Sequence, residues 1–448
     1  MSDNLKSMDK LVSLCKRRGY VYPNSEIYGG FASTWDYGPL GAELLINIRQ
    51  AWWRDTITAR DDVVGLNSAI LSHPGVWQAS GHLEHFSDPL VDCKQCKRRF
   101  RADQIDRDAC PECDGELTDV RQFNTMFKTF VGPVEDDASA AYLRPETAQA
   151  IFANFRNVQQ SSRMKLPFGI AQIGKAFRNE ITTGNFIFRT REFEMMEMEY
   201  FIPPGEDEKW FKYWISERIS WYRRYGLNSD KLHLRAHDKA ELAHYSRGTT
   251  DIEYDYPFGR SELEGVANRG DYDLGRHQEV SGRDLTYFDD ATGQHVLPWV
   301  VEPSVGVDRC ALAFLTDAYH EEEVPSASGK MQRRTVLRLD PRLAPVKVAF
   351  FPLIKREPLQ ALAKELQDLA RSEWLTYYDE TGAIGRRYRR QDEAGTPYCV
   401  TVDFDSLEDG AVTVRDRDTL VQDRISTAEL MDYLREKLAW SREAKTPA

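Results

Sequence analysis

Two stretches of alternating side chains, joined by a loop between Gln172 and Phe201, restrict this chain more than any other feature of it. Successive side chains of a strand point to opposite faces, so Arg178 and Glu180 share one face and Phe177 takes the other. In the second stretch Arg189, Arg191, Phe193, Met195 and Glu197 share a face. Glu194, Met196, Met198 and Tyr200 share the opposite, mostly apolar one. The pattern predicts a hairpin with one wet, charged face and one packed face. A platform that offers guanidinium, carboxylate and an aromatic ring suits a nucleoside triphosphate, because Arg pairs bidentately with phosphate and Phe stacks on a base. A salt-bridged surface hairpin would use the same residue types, since exposed ion pairs are common and individually weak.

Length adds a second limit. A chain of 448 residues exceeds what one core holds and predicts two or three domains. Its 41% hydrophobic and 29% charged content is that of an ordinary globular protein. No apolar stretch approaches the roughly 18 residues that span a bilayer, and Met1 to Tyr20 is too charged for a secretory signal. A cytoplasmic protein without membrane contact is expected. The net charge of −12 speaks against indiscriminate nucleic-acid binding, which depends on neutralising phosphates. A nucleic-acid partner therefore requires local basic patches.

One such patch is Gly385-Arg386-Arg387-Tyr388-Arg389-Arg390. Its arginines could grip a phosphate backbone while Tyr388 stacks an unpaired base; a solvated charge run has the same composition. Around it, Pro345 to Pro352 and Tyr398 to Val402 read as buried strands and Leu359 to Leu369 as an amphipathic helix, which predicts a small α/β domain around a mixed sheet. Its start is expected near Asp340-Pro341, after a charged stretch from His320 to Arg334 that reads as loop or linker. Glu443 to Ala448 should fray. Glu208 to Tyr225 reads as a helix whose face of Trp210, Trp214, Ile215, Ile219 and Tyr222 belongs in a core.

Four of the seven cysteines form two short pairs, Cys93-x-x-Cys96 and Cys110-x-x-Cys113. Two such knuckles can give four thiolates to a tetrahedral structural zinc, although the 13 residues between the pairs are slightly fewer than usual for a ribbon. Reduced, unliganded thiols are the alternative, disulfides being rare in cytosolic proteins. Cys15, Cys310 and Cys399 stand alone and should be buried.

Phe177-Arg178-Asn179-Glu180, a loop, and Arg189-Thr190-Arg191-Glu192-Phe193 resemble motif 2 of the class II aminoacyl-tRNA synthetases. Trp35-Asp36-Tyr37-Gly38-Pro39-Leu40-Gly41, leading into Leu44, Leu45, Ile48 and Trp52, resembles motif 1, much of the dimer interface in that family. Pro39 suits a first helical position. Glu302-Pro303-Ser304-Val305-Gly306-Val307-Asp308-Arg309, before the apolar run Cys310 to Leu315, resembles motif 3. Gly306 would permit a tight strand-to-helix turn, and Arg309 would sit in the first helical turn, where N–H groups and the dipole favour phosphate. Nearly the whole chain is similar to the dimeric bacterial type of glycyl-tRNA synthetase. The resemblance implies an α+β fold. A class II catalytic core, on an antiparallel sheet flanked by helices, would take residues 1–338, with a Cys-rich insertion at 92–118 and a helical insertion at about 206–260. An α/β anticodon-binding domain would take 341–448.

The same resemblance implies the chemistry: glycine and ATP form glycyl-adenylate and pyrophosphate, and glycyl then passes to the terminal adenosine of glycine tRNA. Arg178 would hold the α-phosphate and carboxylate, Glu180 the adenine amino group, Phe193 the ring and Arg309 the γ-phosphate. Asn179, Phe188, Arg189, Thr190, Arg191, Glu192, Leu263, Gly306, Val307 and Asp308 would complete the ATP site, and Glu264 with Glu302 would help place Mg²⁺. The resemblance places Glu146 at the glycine ammonium and Glu197, Glu302 and Ser304 around the amino acid, with Phe193 and Gly306 shared between glycine and ATP. Arg101, Arg269, Glu194, Met195, Met196, Pro303 and Val305 lie nearby. Several carboxylates satisfy a three-donor ammonium and crowd out a side chain, so no editing domain is required. Two other readings stay open: a related ligase with a different acceptor, against which the complete C-terminal domain speaks, and a non-catalytic nucleic-acid-binding relative, which would be expected to lose Arg178, Glu180, Phe193 and Arg309.

Overall fold

Side-chain alternation builds the centre of the molecule. In this computed structural model, which describes all residues except 1–2, 5–6, 106–107, 182–183, 244, 291, 326–328, 330 and 441–448, seven strands form one sheet. In spatial order they are Leu232–Ala236, Gly248–Tyr256, Gly259–Gly270, Trp299–Gly306, Glu192–Ile202, Phe168–Phe177 and Val63–Gly65, all antiparallel except the last pair. The frayed end expected at 443–448 lies outside the described residues.

One face of the sheet carries Met196, Met198 and Tyr200 into a large core with the helices Pro39–Trp53, Asp207–Arg224 and Val307–Ala318. Pro39 does occupy the first turn of its helix. On the opposite face, Phe201, Phe168 and Val300 pack under the helices Ala148–Ser162 and Tyr272–Ser281 through Ile151, Phe152, Phe155 and Leu274. Each large apolar side chain buried there contributes about 1.5–3 kcal/mol. These two helices cover only one end of the face. Toward the other end Phe193, Met195 and Glu197 look into an open cavity. The charged face of the hairpin is therefore not wet throughout, because Glu197 and Glu199 are almost wholly buried as the helices close over them.

Several expectations change here. The strands of the hairpin stop at Phe177 and restart at Glu192, so Arg178, Glu180, Arg189 and Arg191 lie on the connecting loop, which includes a short 3₁₀ turn at Phe186–Phe188. Residues 206–260 are not a helical insertion. They hold the helix Asp207–Arg224 and then two strands of the central sheet, where Ile252, Tyr254 and Tyr256 are buried at the two-residue spacing of a strand. His320 to Arg334 is mostly an antiparallel strand pair, Tyr319–Pro325 with Met331–Leu337, and not a linker.

A second core gathers Val348, Phe350, Leu359, Leu366, Val400 and Leu434 around a five-stranded mixed sheet. Val348–Pro352 and Tyr398–Val402 are its buried, parallel central strands. The helix Ile384–Ala394 joins this unit to the rest: the Tyr20 hydroxyl donates to the Ala394 carbonyl, and Arg334 reaches Asp392 at 3.2 Å.

Candidate active site

Asp308 ties together the three sequence segments that looked alike to motifs. Its carboxylate accepts the Tyr37 hydroxyl at 2.5 Å and the backbone N–H of Glu194 at 3.0 Å, which fixes the start of the Val307–Ala318 helix against the Glu192–Ile202 strand. Gly306 precedes that helix with φ of −78°, which any residue adopts, and an added Cβ would meet nothing nearer than 3.9 Å. Its use is the room that it leaves on the wall of the cavity.

That cavity has a volume of about 310 Å³ and runs along the uncovered end of the sheet. At one end stand Arg178, Arg189 and Arg309 with Glu180, Phe188, Thr190 and Glu262. The Arg178 Nε donates to the Pro145 carbonyl at 3.0 Å, and its guanidinium lies between the Phe86 and Phe193 rings, 5.4 Å from each. Among the described residues neither Nη of Arg178 donates a hydrogen bond, so a braced fork is left for a ligand. Arg309 lies 4.5 Å over the Phe188 ring and 3.0 Å from Glu262, whose carboxyl it holds below the usual range.

At the other end three buried carboxyls converge. Glu197 accepts the Thr147 N–H at 2.7 Å, the Thr147 hydroxyl and the Ser304 hydroxyl at 2.7 Å. Glu146 accepts the Gln149 amide at 3.0 Å and stands 3.3 Å from the His82 imidazole. Burial opposes its ionisation, but His82, Arg269 and Gln149 outweigh it and hold the carboxyl well below its usual range. Burial pushes the Glu302 carboxyl up to about 8 against the pull of Arg269, and Glu197 and Glu146 add to the rise. A bound cation would draw Glu302 back to its charged form. Gly174 makes this end possible, because a Cβ there would come within 2.2 Å of the Arg144 guanidinium, which braces the Arg144-Pro145-Glu146 segment through the Lys175 and Ser68 carbonyls. Behind Glu197, on the same face, Glu199 is fully buried and neither carboxyl oxygen has a hydrogen-bond partner among the described residues. Burial first, and then the neighbouring Glu302 carboxyl, push it well above the usual carboxylate range.

Several expected site residues lie elsewhere. Glu264 is buried on the far side of the sheet, bonded by Arg218 and the Tyr222 hydroxyl, each at 2.6 Å. The cause is a β-bulge: Glu262 pairs with Glu253 and Glu264 with Ile252, so the extra Leu263 reverses the alternation and turns Glu262 to the cavity instead. Leu263, Met195 and Val305 line the wall. Glu194 and Met196 face the opposite side, Glu194 bonded to Arg49 and Met196 in the core. Glu192 pairs with Lys175, and Arg191 donates to the Ala32 and Glu180 carbonyls. Asn179, Pro303 and Val307 do not line the cavity. Arg101 pairs with Asp88 and Asp103, and Arg269 sits behind the wall, donating to Glu302 at 2.5 Å and to Asp273 at 2.7 and 2.8 Å.

The arginine run is the largest correction. Arg387 is buried and donates to the Pro352, Asp379 and Leu353 carbonyls; Arg389 pairs with Asp392 and Arg390 with Asp379. Tyr388 packs against Phe351 and Arg415 and bonds Thr401, which leaves Arg386 as the one exposed side chain of the five. The four paired cysteines do come together: their Sγ atoms all lie within 4.8 Å of one another, with Cys93 and Cys113 at 3.5 Å and Cys96 and Cys110 at 3.7 Å.

The family profile described as tRNA synthetase class II core domain (G, H, P, S and T) matches residues 130–391, and that of an anticodon binding domain matches 347–437. The glycine–tRNA ligase of Thermobifida fusca is 54% identical over 98% of this chain and 100% of its own length. The chain belongs to the glycine–tRNA ligase family. The ligases of Treponema denticola and Streptomyces coelicolor, each 54% identical, cover 98% and 96% of this chain and 98% of their own lengths. The class II core holds the cavity, and the sequence reading missed one wall of it. His237, Glu241, Tyr245, Thr249 and Asp251 also line it. They sit on and beside a polar connection, and only the acids and aromatics within that connection signal a use.

Proposed function

We propose that this chain is a glycine–tRNA ligase that uses the two ends of one cavity together. The observation that carries this reading is their adjacency: a braced arginine fork and Phe193 at one end, and Glu146, Glu197 and Glu302 at the other. ATP lies along the arginine end, with Arg178 on the α-phosphate, Arg309 on the γ-phosphate and Phe193 against adenine. Glu262, which lines the cavity, would hold the magnesium that accompanies ATP, whereas Glu264 is bonded on the far side of the sheet. Glycine binds by its ammonium at the carboxyl end, and its carboxylate attacks the α-phosphate to give glycyl-adenylate and pyrophosphate. The glycyl group then passes to the terminal adenosine hydroxyl of glycine tRNA. No protein nucleophile is required; the residues hold the partners in line and neutralise phosphate charge. ATP–pyrophosphate exchange with each of the twenty amino acids tests this. Exchange with glycine, followed by charging of glycine tRNA, is expected; exchange with a different amino acid or with none overturns it.

For the finer points, a change of core between Ala344 and Val348 supports two domains, and because Leu339, Leu343 and Ala344 still pack in the first core, the second begins after Ala344 and not at 341. Among the described residues no helix is long and apolar enough to cross a membrane. The anticodon-binding unit also offers Phe404, 43% exposed with the Arg356 guanidinium 5.5 Å over its ring, as a stacking surface for tRNA. Four thiols whose sulfurs all lie within 4.8 Å of one another fit a structural zinc, which would bind them as thiolates. When bound, the ion would hold 92–118 together and take no part in the reaction. Ile27, Tyr28 and Phe31, from 61% to 88% exposed just before the motif 1 segment, support a homodimer that covers them. The purified protein is expected to sediment as a dimer with one zinc per chain. A chelator should release the metal and lower the melting temperature, and metal-free protein with unchanged stability would exclude the zinc reading.

A further inference from the structure

We infer that Tyr245 sets amino-acid specificity, closing the glycine end of the cavity over Arg269 and filling room that a substrate side chain would need. This rests on the reading that glycine binds among Glu146, Glu197 and Glu302.

The connection between the strands Leu232–Ala236 and Gly248–Tyr256 folds over the cavity and is pinned at both ends. His237 donates its N–H to the Thr249 carbonyl at 2.9 Å, and its imidazole lies 2.7 Å from Asp251. Just past Tyr245, the Ser246 hydroxyl meets that of Thr249 at 2.9 Å, and the Arg247 N–H donates to the Asn268 carbonyl at 2.7 Å. Tyr245 thus stands next to anchored backbone.

The centre of its ring lies 3.8 Å from the Arg269 guanidinium, and the Phe152 ring lies 5.4 Å from the same group. In its own plane Arg269 is bonded to Asp273 and Glu302. Two rings and two carboxylates therefore enclose the cation. Phe152 belongs to the core, whereas Tyr245 lines the cavity, so Tyr245 is the layer between Arg269 and a ligand. Two consequences follow. A guanidinium without this cover would repel the glycine ammonium and pull on its carboxylate, and Glu302, held by Arg269, would lose its fixed position. The ring also adds an uncharged wall beside the carboxyls, where discrimination against one methyl group is worth about 10–200-fold.

The test is pyrophosphate exchange with glycine, alanine and serine for the full-length enzyme and three variants. Tyr245→Ala should raise the glycine KM and reduce the glycine-to-alanine ratio of kcat/KM about tenfold or more, with the ATP KM little changed. Tyr245→Phe, which keeps ring and volume, should stay close to wild type. Glu197→Gln reports on the site itself and should raise the glycine KM about 10–100-fold through loss of a charged hydrogen bond. If Tyr245→Ala binds ATP normally and keeps its glycine-to-alanine ratio while Glu197→Gln behaves as expected, the role of Tyr245 is refuted and the site stands. If Glu197→Gln leaves glycine unaffected, the site reading itself fails. Should Tyr245→Ala not fold, Tyr245→Leu carries the same comparison with a smaller shift, and an unchanged ratio there also refutes the proposal.

Discussion

Replacing Arg178 by alanine is expected to lower glycine-dependent pyrophosphate exchange about 10²–10³-fold, the usual effect of removing a preorganised donor from developing charge. The braced geometry is the reason. One nitrogen is spent on the Pro145 carbonyl, two rings fix the plane, and the remaining fork faces the cavity before any ligand arrives. Arg178→Lys should recover little of this, since an ammonium has no planar fork to lie between Phe86 and Phe193. Because the phosphate contact tightens as charge shifts in the transition state, kcat should fall more than the ATP KM rises. Arg191→Ala is the control, because that guanidinium already bonds the Ala32 and Glu180 carbonyls. Exchange by Arg178→Ala within threefold of wild type would remove Arg178 from the chemistry.

The contrast between these arginines shows how far residue order carries. Arg178, Phe193, Ser304 and Arg309 were legible as short strings of fixed spacing, and all four line one cavity. Glu262 was not legible, because the exchange of Glu264 for Glu262 comes from a single bulged residue, and a bulge depends on the partner strand. The strands at 232–256 pair locally with each other and with Gly259–Gly270, and only the distant partner of that strand, Trp299–Gly306, brings them into the central sheet. The basic run from Arg386 to Arg390 failed for a different reason. Its charge was plain, but helical spacing sets Arg387 on the same inward face as Gln391 and Ala394, while Arg389 pairs with Asp392 on its own helix and Arg390 with Asp379 before it. Composition alone cannot separate a phosphate grip from an internal salt-bridge network.

That network gives the second large effect. Asp392 is fully buried and accepts from Arg415 at 2.9 and 3.2 Å, from Arg334 at 3.2 Å and from Arg389 at 3.0 Å. Arg334 is itself fully buried and comes from the strand pair beyond the catalytic sheet, so Asp392 joins the two units. Asp392→Ala leaves Arg334 and Arg415 buried without this counter-charge. Breaking such a pair from one side costs about 3–5 kcal/mol. The expected result is a markedly lower denaturation midpoint for the C-terminal unit, whereas Arg386→Ala, on an exposed side chain of the same helix, should stay within about 0.5 kcal/mol. The functional consequence should be uneven. Exchange depends on the cavity of the core and should be largely kept, while tRNA charging, which needs both units in register, should fall. Equal losses in both reactions, or an unchanged midpoint, would count against Asp392 as the joint. A basic run that composition assigns to RNA would then have to be read again as surface.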